Sequence, residues 1–552
     1  MQVSRRVACI ISSLGFVLLT ACGDTAVGSH TNPPSDDGGS VSNADSMVID
    51  QNGTITQDGA ARDVMPVDSG VTNPDGGSSF DTGSSFDGDS SFDGDASSTT
   101  PDAGADGPSN PIGTCAAVPV PVASGGRELH VTTTGNDGSA DGSTTRPYAS
   151  LSAAVRSAVA GDTVLVHGGN YALTSAQVLN PNGRAGIPVI IRAVEGDSVV
   201  FDGAGVQLGN YDGLIRVGGS YAVVDGFEVV NSKGGGIQLV AANQVMIRRC
   251  RIHNIAFQAL GGSGNDIVLQ QNEVYDSVIS NTNGVVDVAN NGFGWSPAVL
   301  SFWISGTMTP SRRWTVENNH IHDNWGECLD ALHLEDSVFR GNLLHDCYSV
   351  NLYVDDARAM RIERNYIYNS TNKYNRAVGG ESAHGISMGT ESAAAPVVLQ
   401  DITVANNLIL STSVGILYAR FNGLGYTGIG IYYNVIANTR KDAVWCDAAG
   451  MSSGVAQNNV FFRGINNNAV GVNSTGWTID HNVWPNGGQQ GTGSIVADPQ
   501  FTAPGNGGTT PEGFRLKSGS PALSAGTPVV AVPNDYTCKA RSTTAPSIGL
   551  YE

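Results

Sequence analysis

Three stretches can be laid beneath one another: Val316-Glu317-Asn318-Asn319-His320-Ile321-His322-Asp323, Phe339-Arg340-Gly341-Asn342-Leu343-Leu344-His345-Asp346 and Ile362-Glu363-Arg364-Asn365-Tyr366-Ile367-Tyr368-Asn369. Asn319, Asn342 and Asn365 fall in register, each 23 residues after the last. A fixed period of this size marks a repeat architecture. Each unit holds short β-like runs joined at an Asn. An Asn at one turn of every coil can hydrogen-bond its counterparts above and below, and it tolerates the left-handed backbone of a sharp turn. The stretch therefore predicts stacked coils of a β-solenoid.

Working outward, further rungs are Pro188–Arg192, Val199–Gly203, Tyr221–Val229, Gly236–Leu239 and Val245–Asn254. Cys250 and then Asn272 precede Asn319 in the ladder slot, and Asn407, Asn434, Asn459 and Asn482 continue it. Two longer intervals, Ser277 to Arg312 and Ser370 to Pro396, bracket the three regular coils. Loops that wall a rigid scaffold are where binding usually resides.

Before the coils, Leu129-His130-Val131 reads as a strand. Leu151, Ala154, Val155 and Ala158 share one helical face behind Ser150, a candidate N-cap. Gly161-Asp162 stops that helix, and Thr163–His167 is the next strand. This arrangement resembles the opening module of secreted right-handed parallel β-helix proteins of the pectin-lyase-like superfamily, in which a helix covers the first coil. Pro499-Gln500-Phe501, Phe514-Arg515-Leu516 and Ile548–Glu552 resemble their closing segment. The resemblance implies an all-β chain: a right-handed parallel β-helix with an N-terminal capping helix.

Upstream, Arg5 and Arg6 precede an apolar run from Val7 to Leu19, a secretory signal. Leu19-Thr20-Ala21-Cys22-Gly23 resembles a bacterial lipobox, which implies cleavage before Cys22 and lipidation of its thiol. From Gly23 to Pro111 there are sixteen Asp, no Glu and one basic residue, Arg62. Such a segment cannot bury enough apolar area to offset its ordering entropy, so a disordered, self-repelling spacer is expected. Asp-Gly-Asp occurs twice there, but no run has the ligand spacing of a known calcium loop. The expected organisation is a signal peptide over 1–22, a disordered linker over 23–111 and the β-helix over 112–552. The whole chain carries a formal charge of −21, most of it in the spacer. Few Lys and Arg exclude a nucleic-acid partner. The expected location is extracytoplasmic, either lipid-anchored at a bacterial cell surface or secreted, and the expected state is a monomer.

Six cysteines remain beyond Cys9 and Cys22: Cys115, Cys250, Cys328, Cys347, Cys446 and Cys538. Cys250 is expected to be inward and free. Cys328 and Cys347 lie on adjacent coils but are offset along the coil, so Cys446–Cys538 or Cys115–Cys538 are the expected bridges. No CxxC or Cys/His spacing suggests zinc.

Alternation along parallel strands turns Leu329, Ala331, Leu352, Val354, Ile386 and Met388 inward. It turns Cys328, Asp330, Asn351, Tyr353, Asp355 and Ser387 outward. Asp330, Tyr353 and Ser387 then stack coil on coil. Asp356, His333, Glu335, Glu391 and Arg420 lie near the same edge, with Lys373, Arg376, Glu381 and His384 on the neighbouring insertion. His322 and His345 follow the ladder turn on successive coils. Many members of the superfamily cleave uronic-acid polymers by β-elimination, using calcium held by carboxylates and a basic residue that takes the C5 proton. The resemblance implies Ca2+ at Asp330, Asp355 and Asp356. It implies catalysis by Asp330 with Lys373, Arg376 or His384, and polysaccharide bound by Tyr353, Asn351, Arg420 and Glu391. The complete carboxylate and lysine motif of the calcium-dependent pectate lyases cannot be matched residue by residue. Two other functions fit the same strip. One is a glycoside hydrolase pairing Asp330 with Asp355 or Glu391; the other is a non-catalytic glycan-binding or adhesion module.

Overall fold

A computed structural model describes residues 116–122, 125–284, 296–302, 304, 309–375, 381–390, 399–420, 426–446, 453–462, 476–487 and 491–552. The chain winds as a right-handed parallel β-helix. Three consecutive coils suffice to define it. β1 (His320–Asn324), β4 (Leu343–Cys347) and β7 (Tyr366–Tyr368) form the first face. β2 (Glu327–Leu332), β5 (Val350–Asp355) and β8 (His384–Thr390) form the second. β3 (Leu334–Arg340), β6 (Arg358–Glu363) and β9 (Gln400–Ala405) form the third. Every strand pairs in parallel with its equivalent one coil on. The first face belongs to an 11-stranded sheet, and the other two faces run together in a 23-stranded one.

The asparagine ladder stands at the turn between the third and first faces. Asn272, Asn319, Asn342, Asn365, Asn407, Asn434, Asn459 and Asn482 form an unbroken column. Cys250 occupies the next slot, its N–H donating to Asn272 Oδ1 at 3.0 Å. It is free and buried, as expected, and burial pushes its thiol up to about 12. The left-handed residue, however, is the one before each ladder position. Arg249, Gln271, Asn318, Arg364, Asn406, Tyr433, Asn458 and His481 all have φ between 47° and 61°. The ladder Asn keeps ordinary backbone geometry so that its amide can face its neighbours.

Inside the coil, Leu329, Ala331, Leu352, Val354, Ile386 and Met388 join one continuous core. At its start the helix α1 (Leu151–Ser157) buries Leu151, Ala154 and Val155 in that core, and the Ser150 hydroxyl accepts from the Ala153 N–H. An uncovered first coil would expose both core and strand edge, and the helix prevents this. The C-terminal segment does not simply close the last coil. Phe501, Phe514, Tyr536, Ile548 and Leu550 fold back onto the outside of the first face, against Tyr366, Leu408, Val435 and Val460.

One disulfide departs from the expected pairing. Cys328 and Cys347 form a disulfide with Cα atoms 5.5 Å apart, and both are in the core. Cys347 ends β4 directly above Asn324, four residues before Cys328. Rounding the corner brings the end of one face over the beginning of the next, which alternation within a strand does not foresee. Cys538 is also disulfide-bonded. Its two candidate partners, Cys115 and the side chain of Cys446, lie outside the described residues.

Candidate functional site

The second face carries the polar strip. Leu300, Asp330, Tyr353, Ser387 and Leu417 are opposite one another on five successive coils. Asp330, Tyr353 and Ser387 therefore stack as the alternation predicts, about 4.8 Å apart per coil. Asp355 lies two residues along from Tyr353 in the adjoining outward column, between Leu332 and Gly389. Asp330 and Asp355 are thus diagonal neighbours on one surface, a placement that puts side chains about 7–8 Å apart at their bases. Asp356 follows at the turn to the third face with φ 46°, and His333 occupies the equivalent turn one coil earlier with φ 49°.

This strip is not an open groove. Asp330, Tyr353, Asp355 and Asp356 are exposed by only 4%, 7%, 6% and 1%. His333 is buried beside them, and desolvation drops its imidazole to about 4. Glu335 serves the scaffold instead. It lies between Arg312 and Arg358 on neighbouring coils and pairs with both, at 2.6 and 2.7 Å.

Other expected site residues are placed differently. Asn351 is fully buried rather than outward. Its amide donates to Asn369 Oδ1 at 3.1 Å and to the His384 carbonyl at 3.0 Å, which pins the corner between the first and second faces. Alternation fails there because the chain is turning, so Asn351 is a structural residue and not a sugar ligand. Lys373 is not gathered with the aspartates. Its segment is tied to the first face through Ser370 and Thr371, which donate to Asp346. Its Nζ lies 2.6 Å from the Tyr374 hydroxyl, and Tyr374 packs on Trp325. His384 opens β8 opposite Val350 and stays partly exposed. Glu381, just before it, pairs with Lys441 at 2.6 Å. The Arg420 backbone pairs with Thr390, in step with Asp356 one coil earlier. Arg376, Glu391 and the Arg420 side chain lie outside the described residues.

The donor set itself is informative. Three buried carboxylates, all oxygen donors, sit on two adjacent coils of one face. That is the chemistry a hard divalent cation accepts. A second polar cluster, on the first face, joins His322 and His345 to His320 and Glu273, two residues that reading the sequence did not single out. The signal was there: His320-Ile321-His322 alternates, so both imidazoles point the same way.

Comparison with known proteins gives the same architecture. Residues 129–296 match the family described as "Pel9A-like, right handed beta helix region", and residues 298–424 match "Right handed beta helix region". Fold and matches together define a right-handed parallel β-helix protein. Among curated proteins, pectate lyase PEL9 of Emericella nidulans is 31% identical over 155 residues. That match spans 26% of this chain and 38% of the relative. Among solved structures, pectate lyase Pel9A superposes with a TM-score of 0.45 at 16% identity, covering 78% of this chain and 97% of that one. A XylC–xylose complex gives 0.48 at 13% identity, covering 77% and 98%. A rhamnogalacturonan lyase gives 0.43 at 16% identity, covering 68% and 91%.

Proposed function

We propose that the protein is an extracytoplasmic polysaccharide lyase, lipid-tethered through Cys22 and a disordered spacer, that cleaves uronic-acid polymers by β-elimination. The observation that carries this reading is a set of three buried carboxylates: Asp330 and Asp355 on the outer side of the second face, and Asp356 at the turn that follows it. The 31% identity to a pectate lyase over 155 residues supports it.

In this reading the three aspartates would hold a calcium ion, which would supply the positive charge that offsets the substrate carboxylate and acidifies the proton at C5. The chain supplies the rest. Tyr353 lies between Asp330 and Ser387 in the column, the position at which an aromatic ring would meet a sugar once the cover over the strip moves aside. Burial of the strip strengthens each charge within it. A base then removes the C5 proton, the C4–O bond breaks and a C4=C5 double bond remains. Lys373 is held away by Tyr374, which leaves Arg376 and His384 of the expected bases, and Arg420 joins them as a candidate. Arg420 is favoured, because its backbone follows Asp356 and Thr390 along the coil edge.

The test is a panel of pectate, alginate and glycosaminoglycan with the full mature chain, read by the ultraviolet absorbance of the unsaturated product. Activity is expected with calcium and not with a chelator. Asp330→Ala and Arg420→Ala should each lower the rate by about 100-fold. Silence across the panel with calcium present removes the lyase reading. Retardation in polysaccharide gels without product would then make the chain a glycan-binding module.

A further inference from the structure

A second site stands on the first face, on the outer side of β1 and β4. His320 and His322 are two residues apart on one strand, and His345 is opposite His322 on the next coil. The His320 and His322 rings stack at 3.9 Å, and His322 and His345 at 5.0 Å. Among the described residues, these three bring donor atoms all within 4.8 Å of one another. Each keeps a little solvent access, with side chains 12–14% exposed.

Two of the rings are oriented by neighbouring carboxylates. His322 Nδ1 lies 2.8 Å from Asp323 Oδ2, and His345 Nδ1 lies 2.9 Å from Asp346 Oδ2. Asp346 is itself fixed by the Ser370 N–H, the Ser370 hydroxyl and the Thr371 N–H. A carboxylate on Nδ1 makes that nitrogen the N–H and leaves Nε2 as the donor of a lone pair, the arrangement that supports histidines bound to metals. Without a metal, His345 Nε2 accepts from His320 Nε2, 2.9 Å away, and an ion would take that lone pair in place of the proton. That leaves His320 Nδ1 with a lone pair. His320 Nδ1 and His322 Nε2 are buried without a hydrogen-bond partner. Both face Glu273 Oε1, at 3.9 and 3.6 Å. Arg251 takes the other Glu273 oxygen at 2.8 Å. Lone pairs turned toward a carboxylate oxygen are repulsive unless a proton or a metal cation lies between them.

We propose that His320, His322 and His345, with Glu273 at a fourth position, form a binding site for a divalent transition-metal ion that prefers nitrogen donors. Tetrahedral zinc at about 2.0–2.1 Å from each nitrogen needs nitrogens about 3.3 Å apart, so small side-chain rotations suffice. Three imidazoles select zinc, copper or nickel over calcium, which takes oxygen. The ion would join three successive coils of the first face. The site is on a different face from Asp330, Asp355 and Asp356 and does not depend on the lyase reading.

The test titrates zinc chloride into metal-stripped, untagged full-length protein by calorimetry, with melting temperature read in parallel. One zinc per chain is expected, with a raised melting temperature in the wild type. His322→Gln and His345→Gln should each weaken binding by about 100-fold, and Asp346→Asn by about 10-fold through loss of orientation. Asp330→Asn should bind zinc as the wild type does. Circular dichroism screens each variant for folding, and His322→Gln decides the matter if His345→Gln does not fold. The proposal is overturned if the wild type takes up no zinc saturably at neutral pH, which would mean that a proton on His322 supplies the positive charge. It is overturned equally if the folded histidine variants bind zinc as tightly as the wild type.

Discussion

A ladder asparagine spends every polar atom of its side chain. Asn342 Oδ1 accepts from the Asn319 N–H and from Asn319 Nδ2, both at 3.0 Å. Its own Nδ2 donates to the Val316 carbonyl and to Asn365 Oδ1, both at 2.9 Å. Replacing it by alanine leaves buried donors of Asn319 without acceptors, and an unsatisfied buried group costs about 1–3 kcal/mol. Asn342→Ala should therefore lower stability by about 3 kcal/mol in denaturant titration. Asn318→Gly, one position earlier at φ 56°, should be close to neutral, since glycine meets no steric penalty there. If the two variants melt alike, the column is not a source of stability. The repeated Asn made the fold legible in the sequence, because identical side chains at a fixed period imply stacking. The residue that bears the left-handed turn was not legible. Arg249, Gln271 and Tyr433 all do so, and none has a preference for that backbone. Tertiary structure imposes it.

At the scale of elements, alternation read the strand interiors correctly and failed at the corners. Leu329, Asp330 and Ala331 point as period 2 requires, whereas Cys328 and Asn351, each at or next to a turn, are both buried. Where the chain bends, successive residues no longer face opposite ways, so alternation does not foresee the Cys328–Cys347 disulfide and turns the buried Asn351 amide outward. Lys373 was misplaced for a related reason: its segment is long enough to reach either face, and Asp346 decides which. The N-terminal cap offers a sharper test of an element. Asp162, just past α1, accepts from Arg127 Nη2 at 2.6 Å, from the Arg127 N–H at 2.8 Å and from the Val159 N–H at 2.9 Å. Burial opposes its charge, but the guanidinium and backbone N–H groups outweigh that and hold the carboxyl below its ordinary value. A carboxyl depressed in the folded state stabilises above its unfolded pKa and loses that contribution as pH falls through the folded one. The wild type should therefore melt higher than Asp162→Asn at neutral pH. The gap should close as pH drops below about 4, the ordinary carboxyl value. A gap that stays constant with pH would show that the contribution is packing rather than charge.

At the scale of the molecule, the rod is held along its length as well as through its coils. The final segment crosses several coils on the outside of the first face. Arg541 anchors it: the guanidinium lies 3.7 Å from the Tyr433 ring centroid. It donates to Asn406 Oδ1 at 2.7 Å and to the Gly549, Leu550 and Ser547 carbonyls at 2.8, 3.1 and 3.2 Å. Burial lowers this arginine to about 10, so the acceptors around it must sustain its charge. Lysine cannot reproduce the planar fork, and Arg541→Lys should cost about 2–4 kcal/mol while leaving the chain soluble. Removing the segment is a different perturbation. Leu408, Val435 and Val460 lie on the outer side of the sheet, where a solvated strand would carry polar residues. Burying each is worth about 1.5–3 kcal/mol, and a contiguous apolar strip of that kind invites association. A chain ending at residue 497 should accordingly bind a hydrophobic dye and aggregate, measured by fluorescence and light scattering. If it instead stays monomeric with an unchanged melting temperature, the coils are self-sufficient and the apolar outer columns must be covered in some other way.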